Sequence, residues 1–442
     1  MRRTGFDDLT GLPTRNGFAA ELEVRLTTAM SNEVWPAVLF IDFDRFKHLN
    51  DALGHSAGDE LLRAAARRIQ DTAGTRSVVA RFGGDEFLVL TGPDVTSADE
   101  ALAIAASICA AFELPFSVAS AEVYLTVSIG VAVAHRGLCT SADVVRMADL
   151  AMYRAKSAGR NQVRIATDDL RRDAEERAEI EHALRRALAD GDVHVMYQPI
   201  VDLRDGTLIG FEALARWNHP TLGPVPPDRF VRIAEDAGLV LALGRRMIDL
   251  AVRDAATWRR ESGRDLTASV NVSGLELVAG SHLQTIRTAL AMHDVPPRAL
   301  IVEVTESILI KDAQLALSRL QSLRDAGVRI AIDDFGTGYS SLAYLRRFPF
   351  DLVKVDREFT AGIESVVPHQ RIVRAITEIA VGFGCDVVAE GIETEDELTT
   401  VENLGCAYAQ GHLLGSPMSA TEAMLLAVSS DAPLRPRRAA PW

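Results

Sequence analysis

From Val193 onward, short apolar runs return at intervals along the chain: VHVMYQPIV, LIGFEALAR, ASVNVS, LIVEVTES, RIAIDDFG, FDLVKVD, DVVAEGIE and YAQGHLL. Stretches of helical spacing separate them, and eight strands alternating with helices predict a (β/α)8, TIM-like barrel. The polar positions in this pattern say more than the apolar ones. Glu212, Asn271, Glu303, Asp333, Lys354, Glu390 and Gln410 each fall toward the C-terminal end of a different run, where such barrels place their chemistry. One such residue reads equally well as a cap or turn. A ring of hard oxygen donors around a single lysine does not.

In RIAIDDFGTG, Asp333 and Asp334 stand side by side at the mouth of a strand. Alone, the pair reads as a helix N-cap. Within the ring, with no His or Cys among the donors, it reads as a site for Mg²⁺ or Mn²⁺. One carboxylate bridging two ions while its neighbour holds the second is the arrangement of two-metal phosphoester hydrolysis. A lysine beside them suits the attacking water or the charge of the phosphorane.

The first half is patterned differently. AVLFIDFDRFKHLND ends an apolar strand in Asp42 and Asp44, two apart and on one face. RFGGDEFLVL puts Gly83 and Gly84 at a turn before Asp85 and Glu86; by themselves these describe a plain hairpin. Joined to the strand carboxylate, they describe a grip on Mg²⁺ and a nucleoside triphosphate. Asn50 and Asp59 carry the donors and acceptors that read guanine, and Lys156 and Arg160, four apart, converge on phosphates.

Between the halves, TDDLRRDAEERAEIEHALRRALADGD reads as a charged helix with Leu170, Ile180, Leu184 and Leu188 as its apolar positions and Gly191 as its stop. The domains are therefore expected at 1–168 and 169–428, with a disordered Pro- and Arg-rich tail over 429–442. Composition agrees with a soluble globular chain: 442 residues, 48% apolar and 24% charged, enough for more than one core. With 61 acidic against 47 basic residues, the charge of −14 disfavours nonspecific nucleic-acid or anionic-membrane binding, so a phosphate ligand must be held by local cations. Cys109, Cys139, Cys385 and Cys406 show no CxxC spacing, as in reduced, cytoplasmic proteins. MRRTGFDDLTG lacks the apolar core of a signal peptide, and no run approaches the length of a membrane span.

The second half resembles the EAL domain, the cyclic di-GMP phosphodiesterase family, through Glu212-Ala213-Leu214 in FEALARW, NVS at Asn271, EVTES at Glu303, DDFGTGYSSL at Asp333, LVKVD at Lys354, AEGIET at Glu390, and Gln410. The resemblance implies that Glu212, Asn271, Glu303 and Asp333 hold one metal ion and Asp333 with Asp334 the second. It implies that Lys354, Glu390 and Gln410 position the water and that Arg216 meets a substrate phosphate. Glu306 and Glu393 would brace the DDFGTG loop. The family commonly continues after the glutamine as GYLFSKP; here GHLLGSP follows, with His412, Leu414 and Ser416 at the differing positions, a departure expected to touch substrate affinity.

The first half resembles the GGDEF domain, the diguanylate cyclase family, through DDLTGLPTR, IDFDRFKHLNDALGHSAGD, RFGGDEF and ADLAMYRAKSAGRN. That implies an antiparallel sheet with flanking helices, metal held by Asp42, the Phe43 carbonyl and Asp85 or Glu86, and activation of the GTP 3′-hydroxyl by the second acid of the pair. Thr14 stands where the family usually has Asn, and Gly74 and Ser77 stand where its RxxD product-inhibition motif has Arg and Asp. Joining two GTP molecules would require two such domains face to face, hence a homodimer. The sequence starts almost directly at DDLTGLP, so the expectation is that the protein is regulated by partners, that it is a fragment, or that a missing region lies in another chain. The expectation is a bifunctional enzyme that makes cyclic di-GMP and opens it to pGpG. The alternatives are a phosphodiesterase with a GTP-binding regulatory half and a noncatalytic cyclic di-GMP receptor.

Overall fold

The structure is a computed structural model that describes residues 5–32, 34–118, 121–138, 140–306, 313–336 and 347–429. The tail expected over 429–442, the DDFGTGYSSL motif beyond Gly336, and Cys139 thus lie wholly or almost wholly outside the described residues. The chain divides into two compact units between Ala178 and Glu179. This point lies inside the charged helix, Asp168–Asp190, which Gly191 ends at φ +85.

In the first unit, strands β1 (Ala37–Phe43), β2 (Val78–Gly83), β3 (Glu86–Leu90), β6 (Val127–Val133) and β7 (Gln162–Ile165) form one sheet in the order β2-β3-β1-β6-β7. A separate hairpin joins β4 (Phe116–Val118) to β5 (Ala121–Val123). All seven β1 residues are buried, because helices cover both faces of the sheet. Leu39, Ile41 and Phe43 pack with the helices His55–Ala73 and Ala98–Ala111. Val38 and Phe40 pack with Arg15–Asn32 and Ser141–Ser157. The sheet departs from the expected antiparallel pattern at one edge, where β6 and β7 run parallel. The chain between them includes a full helix, Ser141–Ser157, and such a crossover reverses the direction that a tight hairpin would impose. Gly130 lets this helix approach: a Cβ there would meet the Ala148 carbonyl oxygen at 2.0 Å.

In the second unit the eight expected runs form β8 (His194–Asp202), β9 (Leu208–His219), β11 (Thr267–Asn271), β12 (Leu300–Thr305), β13 (Arg329–Phe335), β14 (Leu352–Val355), β15 (Asp386–Ala389) and β16 (Tyr408–Gln410), with a short β10 (Gly223–Val225) extending β9. They close into a barrel, since β8 pairs with both β16 and β9. The ring is not a uniform parallel repeat: β8 is antiparallel to both neighbours. Only residues 203–207 join β8 to β9, and a parallel connection needs about a dozen residues or more. The large core lies between the strands and helices such as Val240–Ser262, which buries Leu243, Met247, Leu250, Ala251 and Trp258. Among the described residues no helix is long and apolar enough to cross a membrane.

Candidate functional site

Ile200, Ile301, Ala331, Leu352 and Val388 form a small apolar cluster apart from the large core. Side chains two residues apart on a strand share a face. Two residues on from the apolar layer therefore come Glu303, Asp333, Lys354 and Glu390, so the barrel changes from apolar to charged in one step. On the reversed strand β8 the same step leads back from Ile200 to Gln198.

The step produces a tight cluster. Lys354 Nζ lies 2.7 Å from Glu303 Oε2 and from Glu390 Oε1, 3.3 Å from Asp333 Oδ1 and 3.5 Å from Glu212 Oε2. Glu212 accepts hydrogen bonds from Asn271 Nδ2 (2.8 Å) and Gln410 Nε2 (2.6 Å). Gln410 Nε2 also donates to Gln198 Oε1 at 2.9 Å. Gln198, on the reversed strand β8, joins the site although the polar pattern of the runs does not single it out. Gln410 Oε1 is buried with no partner among the described residues.

Adjacent strand residues ordinarily point to opposite faces, so Asp333 and Asp334 need a device to act together. The β13–β14 register slips by one residue between Ile332 and Phe335, a bulge, and Asp334 takes a left-handed φ of +54. Carboxylate oxygens of Asp333, Asp334 and Glu390 then lie within 4.8 Å of one another. Burial and the neighbouring Asp333 push Asp334 up to about 6.

One ammonium faces four carboxylates, and the imbalance shows in their proton affinity. Burial, reinforced by Glu212, holds Glu303 well above the usual carboxylate range, and burial raises Glu390 to about 8 against the pull of Lys354. Glu212 ends below its usual value, because Lys354 and the hydrogen bonds from Gln410 and Asn271 outweigh its burial. The four carboxylates hold Lys354 well above its ordinary range despite burial. A cluster that retains protons to relieve repulsion, built from oxygen donors, fits divalent cations, which replace those protons.

Asp333 and Asp334 also line a cavity of about 910 Å³, together with Asn271 and Arg216 among others. Arg216 is half-buried and donates Nη1 to the Ala215 carbonyl at 2.9 Å. Buried Glu306 accepts the Gly336 N–H at 3.4 Å, at the start of the loop it was expected to brace. Glu393 instead pairs with Arg357 at 2.7 Å among the described residues. Of the GHLLGSP departures, Leu414 is buried in the barrel core, while His412 and Ser416 are exposed; none lines the cavity.

In the first unit, Asp42 shares strand parity with Val38 and Phe40, the face under the helix Ser141–Ser157. From that helix Lys156 Nζ reaches Asp42 Oδ2 at 2.6 Å. Asp42 sits opposite Glu86 across the β1–β3 pair. Burial raises Asp42 against the opposing pull of Lys156, and burial with the Asp42 charge raises Glu86. The hairpin turns at Gly84, φ +52, and a Cβ at Gly83 or Gly84 would meet nothing within 4 Å. Phe43 stacks on Phe87 with centroids 5.1 Å apart, which seats the end of β1.

Two expectations change here. Asp44 does not form a second free carboxylate beside Asp42: it accepts from Thr126 Oγ1 (2.8 Å), Ser128 Oγ (2.7 Å) and the Asn161 N–H (3.1 Å). The four-residue spacing of Lys156 and Arg160 is not a helical one, because the helix ends at Ser157 and Arg160 takes φ +62. Asp59 is exposed, whereas Asn50 is half-buried with an Oδ1 that has no partner among the described residues. Arg81 was missed: it donates Nε and Nη2 to the Gly84 carbonyl (3.0 and 2.7 Å) and Nη1 to Asp7 Oδ1 (3.1 Å). The signal was available in DDLT, since Asp7 also accepts the Thr10 N–H at 2.8 Å, a side-chain turn typical of Asp.

The family models for the diguanylate cyclase GGDEF domain and the EAL domain match residues 4–162 and 181–417. The chain belongs to the family of tandem GGDEF–EAL proteins. MucR of Pseudomonas aeruginosa, described as a bifunctional diguanylate cyclase/cyclic di-GMP phosphodiesterase, is 38% identical over 416 residues, covering 94% of this chain and 60% of the relative. PdeR of Escherichia coli, a cyclic di-GMP phosphodiesterase, is 38% identical over 414 residues, covering 94% of this chain and 62% of PdeR. The chain spans roughly half to two thirds of the length of the curated relatives it matches. Among solved structures, the MucR phosphodiesterase in complex with c-di-GMP is 40% identical, with a TM-score of 0.53, and covers 55% of this chain and 99% of that one. The Vibrio cholerae LapD S helix-GGDEF-EAL structure, 19% identical with a TM-score of 0.55 over 92% of this chain and 96% of that one, shares the fold alone.

Proposed function

We propose that the chain turns over cyclic di-GMP: the barrel hydrolyses it to pGpG, and the first unit makes it from two GTP within a homodimer. The observation that carries the reading is the Lys354 cluster, in which carboxylate oxygens of Asp333, Asp334 and Glu390 lie within 4.8 Å of one another and Asp333 and Asp334 line the cavity. Glu212, Asn271, Glu303 and Asp333 would hold one Mg²⁺ or Mn²⁺ ion, and Asp333 with Asp334 the second. When bound, the ions supply Lewis acidity to the phosphate and lower the pKa of water. Gln410 Oε1, which has no partner among the described residues, would accept a hydrogen bond from the attacking water, and Lys354 and Glu390 would orient it. Arg216 holds the phosphate, and Glu306 steadies the turn after Asp334. A cavity of about 910 Å³ is ample for a dinucleotide.

In the first unit, Asp42, the Phe43 carbonyl, Asp85 and Glu86 would hold Mg²⁺ with GTP, Gly83 and Gly84 admit the phosphates, Lys156 and Arg160 bind them, and Asn50 with Asp59 reads guanine. Use of GTP places this activity in the cytoplasm, and the inter-unit helix Asp168–Asp190 marks the domain boundary. The alternative is that this unit only binds GTP and tunes hydrolysis. Product chromatography after incubation with cyclic di-GMP and Mg²⁺ or Mn²⁺ tests the first reading. pGpG from wild type but not from Glu212→Ala is expected; its absence with both metals would sink the hydrolytic reading.

A further inference from the structure

Two turns of the barrel site carry its carboxylates, Asp333–Gly336 and Glu390–Thr394. A third segment lies between them. After β14 the chain passes through Asp356, whose Oδ1 accepts the Glu358 N–H at 2.7 Å, into the short helix Arg357–Thr360 and on to Ile363. On one side, the Phe359 ring lies against Gly336: a Cβ at Gly336 would come within 3.0 Å of Phe359 Cε2. On the other side, Thr360, fully buried, donates Oγ1 to the Glu390 carbonyl. Gly391, at φ +68, leaves no room for a side chain, since a Cβ there would meet Arg357 Cγ at 2.5 Å.

Glu397 closes the same joint. It is 6% exposed and accepts the Gly362 N–H on Oε1 (2.8 Å) and the Glu393 and Thr394 N–H groups on Oε2 (2.8 and 3.0 Å). Burial pushes its carboxyl up, but the three backbone donors outweigh it and hold it below the usual range. A capping box for the helix Glu395–Asn403 accounts for the Thr394 contact. It does not account for the reach across to Gly362, which belongs to a different strand–helix connection.

We propose that Thr360 and Glu397 are positioning residues: through the wedge Asp356–Ile363 they fix the spacing between Glu390 and the Asp333–Asp334 pair, and so set affinity for divalent cations. The inference rests on the proposed metal-dependent hydrolysis. Neither residue needs to touch a reacting atom. Lys354 anchors the Glu390 carboxylate at one end, while Thr360 and Glu397 hold its backbone turn, and loss of such outer support commonly weakens metal binding about 10–100-fold.

The test uses the full chain and Mn²⁺ itself, titrated by electron paramagnetic resonance, beside hydrolysis of cyclic di-GMP over a range of Mn²⁺ concentrations. Thr360→Val keeps the volume and removes the donor, Thr360→Ser keeps the donor, and Glu397→Gln removes one strong acceptor. Expected are about 10-fold weaker Mn²⁺ binding in Thr360→Val and Glu397→Gln, a lowered kcat at fixed Mn²⁺, an unchanged KM for cyclic di-GMP, and near wild-type behaviour in Thr360→Ser. Wild-type Mn²⁺ affinity in Thr360→Val overturns the spacing role alone. Equal impairment of Val and Ser also overturns it, because packing rather than the bond would then matter. Failure of wild type to bind Mn²⁺ overturns the proposed function and the spacing role together.

Discussion

Both units bring a lysine to an aspartate at the end of a buried strand, yet the two lysines differ in what surrounds them. Lys354 is 2% exposed and faces four carboxylates within a closed ring of strands. Lys156 is 29% exposed and, among the described residues, pairs with Asp42 alone, beside an open hairpin. A barrel supplies donors from every strand, so its site is assembled within one unit. An open sheet supplies donors from two strands and one helix, which is half of what joining two nucleotides requires. The difference suits hydrolysis of one substrate in the first case and a reaction between two copies in the second.

The comparison is broken most severely at the lysines. Lys354→Met leaves four buried carboxylates without their cation. It should cost about 3–5 kcal/mol of stability and reduce hydrolysis by at least about 100-fold, read by urea unfolding and pGpG formation. Lys156→Met should cost at most about 1 kcal/mol, because solvent screens its partly exposed pair. Equal losses from the two substitutions would show that enclosure by the barrel does not set the energetics.

Much of this contrast was legible in the sequence, for a specific reason. Carboxylates at the ends of buried strands stand out because the two-residue period leaves them no polar face to occupy, which is how Glu303, Asp333 and Asp42 were found. Gln198 was hidden by a reversed strand, although the five-residue link after Asp202 already forbade a parallel one. The shared reach of Asp333 and Asp334 depends on a bulge and a left-handed residue, neither of which has a compositional mark at that position. Arg160 was misjudged because a four-residue spacing implies a common face only while the helix continues. Asp44 was paired with Asp42 by parity alone, before its three donors could be seen.

The next effect separates the units by pH. Glu390 titrates near 8 in the folded barrel against a reference of 4.5, and Glu303 is raised as well. Between those limits the folded state binds more protons than the unfolded state, so stability falls as pH rises from about 5 to 8. Divalent ions replace those protons, so Mg²⁺ should flatten the dependence and add most stability at the alkaline end. Urea midpoints read by tryptophan emission in a chain carrying Trp35→Phe and Trp442→Phe, which keeps the buried Trp217 and Trp258, report on this unit. A slope unchanged by Mg²⁺ would count against the metal site.

A narrower cut asks whether the open hairpin catalyses at all. Glu86→Gln keeps the shape at a position opposite Asp42 and removes the carboxylate. Loss of cyclic di-GMP formation from GTP, measured with hydrolysis blocked by Glu212→Ala, is expected for a working cyclase. A change in hydrolysis alone, in the chain with Glu212 intact, would favour the regulatory reading.

The smallest expected effect is a null one, and the open sheet again explains it. At the positions where relatives carry the Arg and Asp of a product-inhibition motif, Gly74 ends the helix His55–Ala73 at φ +84, and Ser77 turns its hydroxyl back to the Ala73 carbonyl at 2.7 Å. No cation or carboxylate is offered at either place. Cyclase rates should therefore stay constant as cyclic di-GMP is added, again with hydrolysis blocked by Glu212→Ala. Restoring the motif takes more than two substitutions, since Gly74 combines φ +84 with ψ 158, a region kept essentially to glycine, and an arginine there would cost about 1–3 kcal/mol. Strong noncompetitive inhibition of the otherwise unaltered chain would mean that the product is read elsewhere on the first unit, and that its surface is more fully equipped than the comparison with the barrel allows.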